Sequence, residues 1–472
     1  MELRRPIRPP AAGRKPLGAL SVLLALASGL ALRLDLLPLL EPSGDPEGYG
    51  AIARNLLLHG QYAFTTPDGA LHPTLARLPG YPFFLALCFR LFGMENYAAA
   101  AWLQIPIELA GCLLLADCAR RIAPPALATR AAHATLWLAA LCPFTALYSV
   151  QPLTESLTLF SIALALHSVA CFRQRPAWLS ALGFTFAVTY AALLRPDGAL
   201  LGFALLPALL FYHRAAAAPA KLARIILVCL LLALAPFAAW TARNWRVFRV
   251  AQPLAPRCAC DPGKPLNPGW HRWVRSWSLD FVSTFEVYWQ VPGRPLDLSL
   301  LPRRAFDSPA QYAETAALTI EYNRDHRLTP QLDARFGQLA DQRIQAQPVR
   351  YYLWLPLGRL ADMTLRPRIE SFYDDLDWWV TGDNPFETRL SWLAGALNLV
   401  YLLLAIAGLY LRPKLWPWML GYFALRAALL LTIEAPEARY TLEFFPMLFL
   451  LGGIALSKAF SPLTPSAPAS AP

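Results

Sequence analysis

Leu17 to Leu32 reads Leu-Gly-Ala-Leu-Ser-Val-Leu-Leu-Ala-Leu-Ala-Ser-Gly-Leu-Ala-Leu, an uncharged run preceded by Arg14-Lys15 and followed by Arg33-Leu34-Asp35. A basic flank before an apolar run is also how a secretory leader begins. No small-residue cleavage site follows, however, so the run reads as an uncleaved first membrane span. Comparable runs recur along the chain and predict about ten spans, near 17–37, 96–118, 127–147, 153–171, 177–194, 198–212, 222–242, 389–411, 415–433 and 441–458, most of them close to the ~20 apolar residues that cross a bilayer. Composition agrees. The 472 residues are 56% hydrophobic and 15% charged, whereas soluble domains average about 45–50% apolar and about 25% charged. One soluble core could not hide so many leucine-rich runs.

The net charge of +11 would suggest nucleic acid in a soluble protein, but here it follows topology. Basic residues cluster at Arg4, Arg5, Arg8, Arg14 and Lys15; at Arg120, Arg121 and Arg130; at Arg173 and Arg175; at Arg214, Lys221 and Arg224; and at Arg412 and Lys414. These short loops alternate with loops poor in Lys and Arg, the positive-inside pattern. They are not gathered with aromatics on one face, so no nucleic-acid partner is expected. The amino terminus then lies inside. Regions 38–95, 148–152, 195–197, 243–388 and 434–440 lie outside.

The expected fold is an all-α polytopic membrane protein of about ten transmembrane helices, with interfacial helices in the first outer loop and a partly helical extracytoplasmic loop. Its parts are a basic tail (1–16), an amino-terminal membrane module (17–242) with first outer loop 38–95, the loop 243–388, carboxy-terminal spans (389–458) and a Pro/Ser/Ala-rich tail (459–472) expected to be disordered. Pro46 to His59 has helical spacing, and Tyr81 to Phe92 is apolar but too short to cross. Pro348 to Leu365 is amphipathic and reads as an interfacial helix. No internal repeat suggests the inverted halves of many transporters.

The first outer loop holds Gly44-Asp45-Pro46-Glu47-Gly48-Tyr49 and then Arg77-Leu78-Pro79-Gly80-Tyr81-Pro82. Glu155 opens a later span on the same side. An ionisable group there is a functional candidate, or else a carboxylate favoured by a helix amino terminus. If Asp45 and Glu155 converge, their pKa values separate and one serves as a general base. Arg77, Arg195, Arg243 and Arg439 all sit at outer span ends, against the positive-inside bias. Guanidinium binds phosphate bidentately and stays charged when partly buried. The alternative is that each snorkels or pairs locally, Arg195 with Asp197 and Arg439 with Glu437. Most cysteines lie in apolar runs. Cys258 and Cys260, with His271 nearby, do not match usual zinc spacings. A nucleotide-binding Gly-rich loop with Lys-Ser/Thr, a His-Glu-x-x-His and an Asp-x-Asp are all missing from the sequence. An enzyme of this kind would draw its activated group from lipid.

Asp45-Pro46-Glu47-Gly48-Tyr49, Ile52-Ala53-Arg54-Asn55-Leu56, Gly60-Gln61-Tyr62 and Arg77-Leu78-Pro79-Gly80-Tyr81-Pro82 together resemble the first outer loop of the GT-C glycosyltransferases. The nearest likeness is to the bacterial family 39, or dolichyl-phosphate-mannose–protein mannosyltransferase-like, group. Pro152-Leu153-Thr154-Glu155, Leu194-Arg195-Pro196-Asp197, Thr241-Ala242-Arg243-Asn244 and Glu437-Ala438-Arg439-Tyr440-Thr441-Leu442 extend that resemblance across nearly the whole chain. Two departures are Asp45-Pro46, where many relatives have Asp-Glu, and Arg77-Leu78-Pro79, where they have Lys/Arg-Pro-Pro.

The resemblance implies a bacterial inner-membrane glycosyltransferase with its site facing the periplasm. It would move a sugar from a polyprenyl-phosphate donor to an acceptor hydroxyl on a protein, lipid or glycan, with inversion and with no cofactor or metal. Asp45 is the expected base and Glu155 an acidic helper. Arg77, Arg195, Arg243 and Arg439 are expected at the donor phosphate, and Glu47, Tyr49, Tyr81 and Tyr440 at the substrate. The rival expectation is a transporter or flippase of lipid-linked sugars. It would place charges near mid-span, whereas the charges singled out above cluster at span ends.

Overall fold

The computed structural model describes residues 18–210, 219–256, 260–263, 266–369 and 385–460. The basic amino-terminal tail and the Pro/Ser/Ala-rich tail beyond residue 460 lie outside these, as does Cys258. Among the described residues, all ten predicted spans are largely helical. Six stretches are long and apolar enough to cross a bilayer: Ala19–Leu39, Tyr97–Ile122, Glu155–Gln174, Ala220–Phe248, Pro385–Tyr410 and Ala438–Ala459. Two further helices, Ala128–Ala140 and Pro143–Val150, make a seventh crossing if taken as one span, bent by 53°. Pro143 opens the second of them; lacking an N–H, proline is well suited to the first turn of a helix, whereas inside one it removes a backbone hydrogen bond. The predicted spans at 177–194, 198–212 and 415–433 are shorter helices, Trp178–Leu194, Ala199–Leu210 and Trp416–Leu430.

In chain order the first elements are α1 (Ala19–Leu36), α2 (Asp45–His59), strands β1 (Ala63–Thr65) and β2 (Leu71–Pro73), α3 (Gly80–Phe92), α4 (Tyr97–Ile122), α5 (Ala128–Ala140), α6 (Pro143–Val150), α7 (Glu155–Gln174), α8 (Trp178–Leu194), α9 (Ala199–Leu210) and α10 (Pro219–Phe248). The main core is built on α4, α5, α7 and the last helix, Phe445–Ala459, through small and branched residues such as Ala116, Ala119, Leu136, Ala163, Leu166 and Leu450. Small side chains let helix backbones approach closely where lipid supplies no hydrophobic drive. On α10, by contrast, Ile226, Leu227, Leu230, Leu231 and Leu234 are exposed, as a lipid-facing helix requires.

Two ends of this bundle differ chemically. At one, the predicted inner loops meet: Lys414 N–H donates to Ile122 O, Arg173 Nη1 to Lys414 O, and Arg121 Nη1 to Gln174 Oε1. At the other lie α2, α3, a short hairpin and the described residues of the loop 243–388, which form a soluble segment beyond α10.

The first outer loop is helical, as expected, but it also carries a two-stranded antiparallel hairpin that pairs Ala63 with Pro73, Phe64 with His72 and Thr65 with Leu71. Strands of three residues leave almost no alternation to detect. The soluble segment has its own core, with Trp270, Trp273 and Trp277 packed on Phe336, Leu318 and Tyr322. Pro348 to Leu365 is helical and not a candidate span; Tyr352, Leu353, Trp354 and Leu357 are exposed along it.

Charges are not confined to span ends. Arg33 on α1 is fully buried and ion-paired with buried Glu108 inside α4. It also donates to Gly29 O and Ala140 O, at 2.7 and 2.8 Å. The expectation of purely terminal charges is corrected on this point. The pair closes on itself and on carbonyls, as an ionic pair in apolar surroundings must.

Candidate active site

Asp45 opens α2 because of its neighbours. Gly44 precedes it at φ +70°, a left-handed conformation that glycine adopts without the Cβ penalty. Pro46 lies in the first turn, where its missing N–H costs nothing. The helix ends at Gly60, φ +65°, whose N–H closes on the carbonyls of the last turn. Tyr49, Ile52 and Ala53 are buried along one side of α2.

The hairpin delivers Arg77 to this helix terminus. Asn55 Nδ2 donates to Ala63 O and Thr65 Oγ1, at 2.9 and 3.0 Å, tying the hairpin to α2. Asp261, in the soluble segment, accepts from Thr74 Oγ1 and Leu75 N–H, at 2.9 and 2.8 Å. Arg243 completes the clamp from the last turns of α10. It donates to Thr74 O and Tyr62 O, both at 2.7 Å, and packs on the rings of Tyr62, Trp240 and Phe248. The predicted span at 222–242 thus continues as helix to Phe248 and carries Arg243 and Asn244 with it. Gly80 is a second required glycine. A Cβ there would stand 2.7 Å from Leu193 O, so α3 begins against the backbone at the end of α8.

Asp45 is shared between two guanidiniums. Arg77 Nη2 donates to Oδ1, while Arg439 Nη1 and Nη2 both donate to Oδ2 at 3.1 Å. Burial by itself would push the Asp45 carboxyl up; Arg439 and Arg77 outweigh it and hold the group below the usual carboxylate range. Arg77 also lies over the Tyr49 ring at 5.3 Å.

Glu155 does not join Asp45 in a dyad. It pairs with Arg195 at 3.1 Å, and Arg439, which binds Asp45, also feels the Glu155 charge. Arg439 and Arg195 stand over the Tyr440 ring, at 5.6 and 5.5 Å. Asp45 and Glu155 are thus joined through Arg439, both directly and by way of Tyr440 and Arg195.

The local pairs weighed in the sequence are both present, without removing either arginine from the cluster. Arg195 Nε reaches Asp197 at 3.3 Å and Glu443 at 3.4 Å. Arg439 Nε reaches Glu437 at 2.5 Å, and Tyr440 OH donates to Glu437 as well. Behind them Arg426, fully buried in helix Trp416–Leu430, binds Asp197 at 2.8 Å, Glu443 at 2.6 Å and Tyr440 O at 2.7 Å. Arg368 donates to Ala438 O and Thr441 Oγ1, fixing the turn that presents Arg439.

Among the residues expected at substrate, Glu47 is exposed beside Asp45. Tyr81 is fully buried, its hydroxyl donating to Gln104 Oε1 at 2.7 Å; Gln104 in turn donates to Ser149 O and Gln151 O. Tyr81 braces the site from behind. Arg243 is spent on carbonyls and stands in the clamp, while Arg77 and Arg439 meet the carboxylate. Asp197, Glu437 and Glu443 belong to the cluster, as do Arg426 and Arg368. Arg426 is marked in the sequence by its place as a charge in the middle of an apolar run.

His271 faces Glu434 at 3.6 Å and the ring of Tyr288, and Cys260 is in a disulfide, so its sulfur is not a free thiolate ligand.

Residues 72–241, roughly a third of the chain, match the family model described as dolichyl-phosphate-mannose-protein mannosyltransferase. No curated protein matches the sequence. Among solved structures, the chain is similar to the oligosaccharyltransferase AglB from Archaeoglobus fulgidus, solved with an inhibitory peptide and a dolichol-phosphate. Identity is 13% and the TM-score 0.47, over 93% of this chain and 50% of that one. The chain thus spans about half the length of AglB. A second similar structure is ArnT from Cupriavidus metallidurans bound to undecaprenyl phosphate, at 16% identity and a TM-score of 0.38 over 93% of this chain and 78% of that one.

Proposed function

With residues 72–241 matching the dolichyl-phosphate-mannose-protein mannosyltransferase model, we propose that this membrane protein transfers a sugar from a polyprenyl-phosphate donor to an acceptor hydroxyl at the end of the bundle that carries Asp45. One observation carries the reading: a carboxylate held between two guanidiniums at the membrane-proximal mouth of the bundle.

The charge count supports it. Asp45, Glu155, Asp197, Glu437 and Glu443 stand against Arg77, Arg195, Arg426 and Arg439. With Arg368 behind Arg439, five carboxylates face five guanidiniums, which leaves no spare positive charge for a donor phosphodiester. Phosphate binds here by taking over Arg77 and Arg439, which releases Asp45. Freed of its guanidiniums, Asp45 regains the basicity of an ordinary carboxylate and takes the proton of the acceptor hydroxyl. That oxygen attacks the anomeric carbon as the bond from this carbon to the phosphate oxygen breaks. The leaving polyprenyl phosphate keeps the bonding electrons and is stabilised by both arginines. Attack opposite the leaving group inverts the anomeric centre. Arg195 and Glu155 hold Tyr440 and, through it, Arg439.

We place the Asp45 end on the extracytoplasmic, periplasmic side of a bacterial inner membrane; the basic loops gathered at the far end of the bundle support that orientation.

The transporter reading asks for charges within spans, and Arg33–Glu108 is such a pair. Arg33 donates to the Glu108 carboxylate and to the Gly29 and Ala140 carbonyls, so the pair is bound within the protein rather than turned to a cargo. Incubating the purified protein with labelled polyprenyl-phosphate sugars and candidate acceptors tests the proposal. Label found in covalent product supports it. Label moved across liposomes without product formation refutes it.

A further inference from the structure

The end of the bundle away from Asp45 holds a second constellation. Asp117 lies near the end of α4. His167 and Cys171 lie one turn apart on α7, so their side chains share one face. Their ligand atoms all fall within 4.8 Å of one another, and among the described residues no other group of three His, Cys, Asp or Glu side chains converges so closely. His167 Nε2 stands 3.0 Å from Asp117 Oδ2 and 3.4 Å from Cys171 Sγ. A tetrahedral zinc ion has bonds of about 2.0–2.2 Å to nitrogen and oxygen and about 2.3 Å to sulfur, which sets neighbouring ligands roughly 3.3–3.6 Å apart. The observed spacings are near those edges. All three residues are part-buried, leaving one side open to a water as fourth ligand.

We propose that Asp117, His167 and Cys171 bind a borderline-soft divalent cation of the zinc type, joining the ends of α4 and α7. Sulfur and imidazole favour zinc or cobalt over magnesium and calcium. On binding, Cys171 loses its thiol proton to solvent, His167 gives up the Nε2 proton that it donates to Asp117 (to solvent or to its own Nδ1), and the ion takes the place of that hydrogen bond.

Two arginines bear on the same carboxylate and oppose a cation. Arg120 Nε donates to Asp117 Oδ1 at 3.0 Å, on the oxygen away from His167. It stays there and orients the carboxylate, as outer partners of metal ligands do. Arg121 Nε donates to Oδ2 at 2.5 Å and must yield; its Nη1 already bonds Gln174 Oε1 at 2.8 Å, which gives it a place to go. The thiolate and carboxylate together neutralise a divalent ion, so the metal centre itself adds no net charge beside these arginines. The helices joined are the ones that matter at the other end: Gln104 of α4 braces Tyr81, and Glu155 opens α7.

The test uses the full-length protein in detergent, treated with chelator and titrated with Co²⁺ and then Zn²⁺. A thiolate-to-cobalt charge-transfer absorption, lost on adding Zn²⁺, is expected. Cys171→Ser should abolish that absorption. His167→Gln and Asp117→Asn should each weaken Co²⁺ binding by about tenfold or more, while Cys142→Ser leaves it unchanged. Cobalt binding without a thiolate band, or unaltered binding in Cys171→Ser, overturns the site. A measurement on the unmutated chain guards against variants that do not fold. Zn²⁺ should slow maleimide labelling of Cys171 by about tenfold, and equal rates with and without Zn²⁺ overturn the proposal. None of these readouts depends on sugar transfer.

Discussion

Asp45 Oδ2 accepts from both terminal nitrogens of Arg439, each at 3.1 Å, across 394 positions of sequence. With Arg77 on the other oxygen, the proposed base is paired to the same groups that would bind the donor phosphate. Base and phosphate therefore compete, which makes the first two predictions.

Asp45→Asn should lower transfer by about 10²–10⁴-fold, the usual worth of a general base. It should also bind polyprenyl phosphate more tightly than the native chain, by up to about fivefold, the worth of a partly exposed ion pair. Transfer assays and lipid-phosphate titration of the same preparation check both. Weaker lipid binding together with lost transfer would mean that Asp45 contacts the donor directly.

The pH profiles of kcat/KM and kcat should differ. In the free protein the Asp45 carboxyl is held below the usual carboxylate range. It therefore stays ionised, and competent as a base, until the pH falls through that lowered value. Its acidic limb in kcat/KM should lie below about pH 4, the ordinary carboxylate value. With phosphate on the arginines, the pKa rises and the acidic limb of kcat moves to higher pH. Coincident limbs in the two profiles would contradict the exchange.

Arg439→Lys should cut kcat/KM by about 10- to 100-fold, since one charge-assisted hydrogen bond is worth about 1.5–3 kcal/mol and an ammonium cannot reproduce the bidentate fork. Arg243→Ala should behave differently. It removes the clamp on Tyr62 and Thr74 and should lower the melting temperature and transfer together, whereas Arg77→Ala lowers transfer at unchanged melting temperature. Thermal scans beside activity assays separate the two roles. An Arg243→Ala protein of native stability with lost donor binding would return Arg243 to the phosphate.

Glu108→Ala should destabilise the bundle by about 3–5 kcal/mol, because it strands the buried Arg33 guanidinium. Replacing both, as in Arg33→Met with Glu108→Leu, should recover much of that loss. Thermal unfolding in detergent reads both. A double variant no better than the single one would indicate that the Gly29 and Ala140 carbonyls depend on Arg33.

The sequence by itself determined the helical membrane architecture, the short helices α2 and α3 in the first outer loop, and the separation of basic loops from the Asp45 end. Those follow from hydropathy, helical period and charge, all local properties of a stretch of chain. Arg33, Glu108 and Arg426 were legible too, as charges in apolar runs. What remained was which partner each charge would find. Arg77, Arg195, Arg243 and Arg439 look alike in sequence, each a lone arginine at an outer span end. Only the tertiary structure decided that Arg439 and Arg77 share Asp45, that Arg195 holds Glu155, and that Arg243 is spent on the carbonyls of Tyr62 and Thr74. An ion pair is decided within about 4 Å. Helices from opposite ends of the chain reach that distance only after the whole bundle has packed.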